Sequence, residues 1–239
     1  FEQPQAIRDT LESRITNNSV ITSSFGYKAD EILRDAKQIQ IVACGTSYNA
    51  GLVAKYWIED IAKIPCNIEI ASEYRYRRPI LLDNTLFITL SQSGETADTI
   101  EALKAAKKIN SSIKSLCICN SPESSLTRLS DLIFLTHAGP EIGVASTKAF
   151  ITQLVSLALL LCTIGKLQNS IDSNQEKEIN DLEKTLGENY RVIDTIKESN
   201  EKNTVELKIL RAQNTELSNE NSGFKSLNEK RAEEHNKAI

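Results

Sequence analysis

In Thr85-Leu-Phe-Ile-Thr-Leu-Ser-Gln-Ser-Gly-Glu-Thr-Ala-Asp98, an apolar run passes directly into a cluster of hydroxyl and amide side chains. The apolar run is typical of a β-strand that is buried on both faces. Apolar residues then recur at helical spacing over residues 97–108, which predicts a helix. The stretch therefore predicts a strand–loop–helix unit whose polar groups gather at the carboxyl end of the strand.

The same alternation of strand and helix recurs on both sides of this unit. We predict strands at 38–44, 66–71, 85–90, 115–119 and 132–136, and helices at 5–15, 29–36, 46–62, 73–78, 97–108, 122–129 and 145–165. Strands that are apolar throughout and alternate with helices indicate a parallel sheet covered on both faces. The predicted fold class is α/β: a three-layer αβα sandwich with a five-stranded parallel sheet.

Composition divides the chain into three predicted parts. Residues 1–37 form a helical lead-in, 38–166 form the sandwich, and 167–239 form a helical tail rich in Asn, Glu, Lys and Ser. When Ile179 is placed at a heptad a position, the a/d seam is apolar at first and is later interrupted by asparagine. The tail predicts either a coiled coil or a marginal helix that folds only against a partner.

Charge and hydropathy exclude two classes of partner. The net charge is −4, and residues 171–239 hold the acidic excess, with 11 Lys/Arg against 15 Asp/Glu. Since neither part of the chain is basic, we expect no nucleic-acid partner. The longest apolar stretch, 149–164, is too short to span a bilayer, so we expect a buried helix and no membrane association.

Cysteine and histidine usage indicates a reducing compartment and no metal site. The five cysteines form no C-x-x-C pair, and the two histidines lack a second ligand at metal spacing. Buried thiols predict a cytoplasmic location. The sequence starts at Phe1 and contains no methionine, which suggests a fragment or an excised product.

The loop after residue 90 is the first of three candidate binding loops. It contains Ser91, Gln92, Ser93 and Thr96, and Ser93 is predicted to be the N-cap of the following helix. Hydroxyls, free backbone amides and the helix dipole can together hold a phosphate without a lysine. The alternative is that Ser93 only caps the helix.

The second candidate loop is Gly45-Thr46-Ser47, which follows the first predicted sheet strand. Glycine allows close approach of the backbone, while Thr46 and Ser47 offer hydroxyls at the start of a helix. Taken alone, this loop is better explained as a simple strand-to-helix turn with an N-cap. Neither G-x-G-x-x-G nor a P-loop occurs in the chain, so no nucleotide cofactor is expected.

The third candidate loop, 138–148, opens the buried helix with Val144, Ala145 and Ser146. Ser146 can either cap that helix or face a ligand. Lys148 in the first turn opposes the helix dipole unless an anion lies nearby, and a surface lysine is the favoured interpretation. Three hydroxyl-rich helix starts at one sheet edge predict a neutral pocket for a small polyhydroxylated phosphate.

The residues provide no complete catalytic set. No Ser–His–Asp combination is apparent, and His137 has no obvious nucleophile beside it in sequence. Glu95 and Glu141 are loop acids that could act as bases, but salt bridging or solvation is favoured for both. We therefore assign no catalytic residue, no metal and no cofactor.

The segments that contain these loops resemble a known enzyme family. They are Ala43-Cys-Gly-Thr-Ser-Tyr48, Glu69-Ile-Ala-Ser-Glu-Tyr-Arg-Tyr76, Ile88-Thr-Leu-Ser-Gln-Ser-Gly-Glu-Thr-Ala-Asp98 and Glu141-Ile-Gly-Val-Ala-Ser-Thr-Lys-Ala-Phe150. From residue 1 to about residue 166, the chain is similar to the first sugar-isomerase (SIS) domain of glutamine:fructose-6-phosphate amidotransferases, the glucosamine-6-phosphate synthases.

The resemblance implies a binding role for the three loops. The family makes glucosamine 6-phosphate from fructose 6-phosphate and glutamine, and its SIS domains form dimers. By this resemblance the phosphate is held by Ser91, Gln92, Ser93 and Thr96. The sugar site is lined by Thr46 and Ser47 and completed by Val144, Ala145 and Ser146.

The resemblance also limits what is expected of this chain. We find no counterpart of the family's glutaminase, nor of the isomerisation base, Schiff-base lysine and ring-opening histidine of its second SIS domain and C-terminal segment. We therefore expect a homodimeric sugar-phosphate-binding domain that does not catalyse alone. The alternatives are a non-catalytic sugar-phosphate sensor with an assembly tail, or a structural protein that retains the fold.

Overall fold

The structure, a computed structural model, describes residues 2–16, 19–141 and 146–170, and in the tail 202, 204–206, 208–213 and 215. The chain separates into two compact units, Phe1–Asn180 and Asp181–Ile239. The described residues of the second unit are helical. Most of the predicted heptad seam lies outside the described residues, so the coiled coil stays a prediction.

The first unit contains seven α-helices and seven strands among its described residues. The helices are α1 (Gln3–Leu11), α2 (Ala29–Asp35), α3 (Gly45–Trp57), α4 (Ala71–Tyr74), α5 (Ala97–Ile109), α6 (Ser125–Leu129) and α7 (Lys148–Leu167). The strands are β1 (Ile15–Thr16), β2 (Ser19–Val20), β3 (Gln38–Ala43), β4 (Cys66–Ile70), β5 (Thr85–Ser91), β6 (Lys114–Cys119) and β7 (Leu132–Leu135).

Strands β3 to β7 form one parallel sheet in the order β4-β3-β5-β6-β7. Every residue of the central strand β5 is buried. The register pairs Ala43 with Leu90 and Ser91 with Cys119, so β3, β5 and β6 end side by side. The predicted five-stranded parallel sheet is confirmed.

Each face of the sheet carries its own apolar core. On one face, Ile41 and Ile88 pack with Leu160 beneath α2, α3 and α7. On the other, Phe87 packs with Leu103 beneath α4, α5 and α6. Because successive strand residues point to opposite faces, strands apolar at every position are what a three-layer sandwich requires.

Helix α7 extends past the predicted apolar stretch 149–164, so the prediction that it is too short to span a bilayer was wrong. By length and composition alone it could cross a membrane, with a mean hydropathy of 1.8. Helices from the core of globular proteins pass the same test. Its polar residues Thr152, Gln153 and Ser156 are buried against protein. Within the described residues, α7 packs against α1, α2 and α3, as the predicted buried helix should.

The predicted helix 5–15 was wrong beyond Leu11. Ser13 adopts a left-handed conformation with φ of 59°, and Ile15 then pairs with Val20 in a short antiparallel hairpin. The tertiary contacts of Arg14 account for this break. Its guanidinium donates to the carbonyl oxygen of Leu135 and lies 3.9 Å from the ring centroid of Phe134.

Other helix limits also shifted. The helix predicted to run through residue 62 ends as an α-helix at Trp57 and continues as a π-helical turn over Ile58–Ala62. Lys63, with φ of 56°, stops it. Helix α6 starts only at Ser125, because the Ser124 side chain caps it by accepting from the Thr127 N–H.

A partly buried polar contact joins the start of β6 to the start of β7. The Asp131 carboxylate accepts from the Ser115 N–H at 2.9 Å, from the Ser115 hydroxyl at 2.5 Å and from Lys107 Nζ at 3.1 Å. Burial alone would raise the pKa of Asp131, but the hydrogen bonds from Ser115 and the charge of Lys107 outweigh it and lower that pKa.

Replacing Asp131 with Asn should lower the free energy of unfolding by about 1–2 kcal/mol at neutral pH, since the partly exposed carboxylate loses charge-assisted hydrogen bonds. A lowered folded-state pKa gives stability that is present above the unfolded-state pKa and is lost as pH falls through the folded-state value. The difference between wild type and Asp131→Asn in urea unfolding should therefore shrink in acid.

The control is Asp30→Asn, which breaks the exposed pair between Asp30 and Arg34 within α2. This change should cost about 0.5 kcal/mol or less. Equal losses for the two variants at neutral pH would contradict the role given to Asp131.

Candidate functional site

A cavity of about 350 Å³ lies at the carboxyl edge of the sheet, where β3 and β5 end beside each other. Helix α3 starts at Gly45, directly after β3, and α5 starts at Ala97, a short loop after β5. The cavity is lined by Cys44, Gly45, Thr46, Ser47, Leu90, Ser91, Gln92, Ser93, Thr96 and Ser146.

The structure brings seven of the nine predicted site residues to this one cavity. They come from all three predicted loops and are Thr46, Ser47, Ser91, Gln92, Ser93, Thr96 and Ser146. The other two, Val144 and Ala145, lie outside the described residues. Sequence reasoning missed the wall residues Cys44 and Leu90, although each directly precedes a loop that it selected.

Two serine hydroxyls shape the loop after β5. Ser91 Oγ accepts from the Gly94 N–H at 3.0 Å and lies 3.2 Å from Thr96 Oγ1. Ser93 Oγ accepts from the Glu95 N–H at 3.2 Å. One hydroxyl of the Ser91–Thr96 pair donates to the other, so the pair keeps one proton for an acceptor in the cavity, and Ser93, which only accepts, keeps its own.

The prediction that Ser93 is the helix N-cap was wrong. The N-cap of α5 is Thr96, and its side chain makes no capping hydrogen bond. Gly94 has φ of 68°, so the left-handed turn at this residue delays the helix until Ala97. The hydroxyl of Ser93 therefore belongs to the loop and lines the cavity.

The start of α5 offers backbone donors next to Thr96. The first intrahelical acceptor is Thr96 O, which receives the Ile100 N–H at 3.0 Å. The N–H groups of the first helical turn, which lie before Ile100, have no acceptor within the helix. The helix dipole adds partial positive charge at the same place. Such a terminus attracts an anion without a cationic side chain.

The loop after β3 presents its hydroxyls through a left-handed glycine. Gly45 has φ of 58° and leaves open space where a Cβ would lie. Ser47, in the first turn of α3, is 8% exposed, and its Oγ accepts from Gln153 Nε2 of α7 at 3.0 Å. Helix α7, which follows the third loop, thus holds Ser47 of α3 in place at the wall of the cavity.

The start of α7 is held by two carboxylates. Glu141 accepts from the Ala149 N–H at 2.9 Å and thereby caps α7. Lys148 forms an ion pair with Glu2, whose pKa is lowered by the hydrogen bond and charge of that lysine. The prediction of a surface lysine was wrong, since the Lys148 side chain is only 12% exposed.

Glu95 has a structural partner. Its carboxylate accepts from both the Ser125 N–H and the Ser125 hydroxyl at 2.7 Å. These bonds from Ser125 lower the pKa of Glu95. The acid therefore ties the loop after β5 to the start of α6, and it is exposed to solvent, in agreement with the predicted solvation.

Asn120, which sequence reasoning missed, connects two of the loops. Its N–H donates to Gln92 O at 3.0 Å, and its Nδ2 donates to Gly139 O at 2.7 Å. Its Oδ1 accepts from the Ala138 N–H at 2.7 Å and from the Thr136 hydroxyl at 3.1 Å. The available signal was an amide side chain directly after a buried strand, the position at which ligands or loops are held.

The chemistry of the site follows from what surrounds the cavity. The described lining residues carry hydroxyl, amide, thiol and apolar groups and no formal charge. Such a surface suits a small ligand rich in oxygen, with an anionic group placed at a helix start. Within the described residues, no group of three or more His, Cys, Asp or Glu could hold a metal ion.

Comparison with known proteins identifies the class. The SIS domain family model matches residues 32–162, which is more than half of the chain. The chain belongs to the SIS domain family. Sheet order, the position of the cavity and the three hydroxyl-bearing loops are thus features of a member of this family.

Among individual proteins, the chain is 55% identical over 179 residues to the glutamine–fructose-6-phosphate aminotransferase (isomerizing) of Aliivibrio fischeri, covering 75% of this chain and 29% of that protein. The corresponding enzyme of Francisella tularensis is 54% identical over 175 residues, covering 73% and 28%. The chain therefore spans less than a third of these curated relatives.

Solved structures agree. The C-terminal domain of glucosamine-fructose-6-phosphate aminotransferase from Francisella tularensis has a TM-score of 0.73 and 51% identity, covering 78% of this chain and 52% of that one. Tagatose-6-phosphate ketose/aldose isomerase from Escherichia coli, at 20% identity and a TM-score of 0.53 over 66% of this chain and 45% of that one, shows the shared fold. The resemblance to glucosamine-6-phosphate synthases is confirmed.

Replacing Gly94 with Ala should destabilise the protein and distort the cavity loop. The added Cβ would lie 2.0 Å from Ser124 Oγ, at a backbone φ of 68°. Left-handed strain and overpacking together should cost about 3 kcal/mol or more, measured by chemical unfolding.

A matched control separates the two effects. Gly139 has φ of 69° but nothing within 4 Å of an added Cβ. Gly139→Ala should cost only the strain, about 1–2 kcal/mol. If both alanine variants lost the same stability, the close packing of Gly94 against Ser124 would not be the cause.

Proposed function

We propose that this chain binds a sugar phosphate, fructose 6-phosphate or glucosamine 6-phosphate, as part of an isomerizing glutamine–fructose-6-phosphate aminotransferase. The observation that carries the proposal is the convergence of seven polar side chains from three separate loops on one cavity beside two helix starts. The identity to the aminotransferase of Aliivibrio fischeri supports the choice of sugar.

The two ends of the ligand would meet different loops. The phosphate would lie against the α5 terminus, where amides and the helix dipole favour a dianion. The residues proposed to hold it are Ser91, Gln92, Ser93 and Thr96. The residues proposed for the sugar are Thr46, Ser47 and Ser146, together with Val144 and Ala145.

Binding is the only step assigned to this chain. Its two candidate acids are engaged elsewhere, Glu95 with Ser125 and Glu141 with the start of α7. By the family resemblance, amination and isomerisation would require groups outside this domain. We therefore propose that the chain on its own binds the sugar phosphate without converting it.

Calorimetric titration with fructose 6-phosphate tests the proposal. Ser93→Ala should weaken binding about tenfold, because a hydroxyl that donates to a charged phosphate is worth roughly 1.5–3 kcal/mol. Ser23→Ala is the control. Ser23 is exposed in the short 3-10 helix Thr22–Phe25, away from the cavity lining, and its loss should leave the affinity unchanged.

Two results would argue against the proposal. A wild-type chain that binds neither sugar phosphate at millimolar concentration would exclude the ligand class. A Ser93→Ala variant that keeps the full wild-type affinity would exclude the loop after β5 as the phosphate site.

We also propose that the chain forms a homodimer. Exposed apolar side chains lie on the surface of the first unit, among them Tyr56 at 71%, Ile80 at 87% and Leu82 at 59% exposure. Burial of such residues favours association. Sedimentation velocity at micromolar concentration should show a dimer, and a monomer alone would contradict this part of the proposal.

The cellular location is proposed on chemical grounds. Within the described structure none of the five cysteines takes part in a disulfide. Free thiols are typical of proteins that work in a reducing compartment. We therefore propose a cytoplasmic location.

A further inference from the structure

Gln153 of α7 is a buried polar residue behind the wall of the cavity. Gln153 is 2% exposed, and its Nε2 donates to Ser47 Oγ at 3.0 Å. Its Oε1 is buried and has no hydrogen-bond partner among the described residues. A buried carbonyl oxygen without a hydrogen bond lowers the stability of the fold. A glutamine at this position is therefore unfavourable for stability, which points to a functional role of its amide group.

The neighbouring polar residues of α7 differ from Gln153. Thr152 donates its hydroxyl proton to Ala149 O at 3.1 Å, and Ser156 donates to Thr152 O at 2.7 Å. Both hydroxyls are therefore bonded within their own helix. Gln153 instead reaches across to α3 and contacts the one buried hydroxyl of that helix that lines the cavity.

The direction of this hydrogen bond determines what Ser47 can do. A serine hydroxyl has one proton to donate and two lone pairs. Since the Gln153 N–H occupies a lone pair of Ser47 Oγ, the hydroxyl proton stays free. The described residues provide no other hydrogen-bond partner for this hydroxyl, and the cavity lies in front of it.

We infer that Gln153 is a positioning residue that acts through Ser47. It orients the Ser47 hydroxyl as a hydrogen-bond donor toward an acceptor oxygen of the ligand, without touching the ligand itself. This inference rests on the proposed sugar-phosphate function of the cavity. It makes α7 part of the binding site at a position in the second turn of the helix, beyond the loop 138–148 that the sequence marked.

A double-mutant cycle tests the inference. Fructose 6-phosphate is titrated calorimetrically into wild type, Gln153→Met, Ser47→Ala and the double variant. Methionine keeps the volume and removes the donor. Each single change should weaken binding about tenfold. The double variant should bind no more weakly than Ser47→Ala, because Gln153 acts only through that hydroxyl.

Gln168→Met is the matched control for a purely structural effect. Gln168, at the C-cap of α7, donates from Nε2 to Leu33 O at 3.0 Å and to Ala36 O at 2.9 Å. Its loss should lower the melting temperature and leave the affinity unchanged. If Gln153→Met does not fold, Gln153→Asn, whose amide is one methylene further from Ser47, is titrated under the same criteria.

The outcomes separate this inference from the proposed function. Wild-type affinity in the folded Gln153 variant, alongside weakened binding in Ser47→Ala, would overturn the inference and leave the binding function intact. Additive losses in the double variant would also overturn it, since they would mean a route other than Ser47. A wild-type chain that binds no sugar phosphate would contradict both the role of Gln153 and the proposed binding function.

Discussion

Strand β5 is buried on both faces along its whole length, and the site depends on this burial. Each large apolar side chain removed from water contributes about 1.5–3 kcal/mol, and β5 places such side chains in both cores. The strand is therefore held firmly in the middle of the sheet. Ser91 is its last residue, still buried, so the polar loop starts from a fixed point.

The geometry of the cavity loop follows from that fixed point. Ser91 Oγ receives the Gly94 N–H, and Gly94 packs so closely against Ser124 that no larger residue fits. Asn120, one residue past the neighbouring strand, holds Gln92 O on one side and Gly139 O on the other. The loops are thus joined to each other through the ends of adjacent strands, and the site is organised without a ligand.

Most of the sheet and much of the site could be predicted because they depend on local pattern. Strands buried on both faces are apolar at every position, and the hydroxyl clusters stand directly after them. Features that depend on distant residues could not be predicted. The contact between Arg14 and Leu135 joins residues 121 positions apart, and that between Gln153 and Ser47 joins residues 106 positions apart.

The helix starts also separate into what the local sequence predicts and what other parts of the structure determine. Ser93 has the right chemistry for an N-cap, and only the backbone conformation of Gly94 moves the cap to Thr96. Lys148 was predicted to be exposed because its partner, Glu2, lies at the other end of the domain sequence. In both cases the local preference was sensible and a backbone or tertiary constraint overrode it.

The uncharged lining of the cavity has a consequence for the conditions under which it works. Dissolved salt largely screens exposed charges that are more than about 8–10 Å apart at physiological ionic strength. It has little effect on hydrogen bonds made at contact distance. The hydroxyl and amide contacts to a ligand would therefore change little with ionic strength, whereas the attraction of the α5 dipole for an anionic group would weaken as salt rises. Since no cationic side chain is among the described lining residues, the helix start attracts anions only at short range.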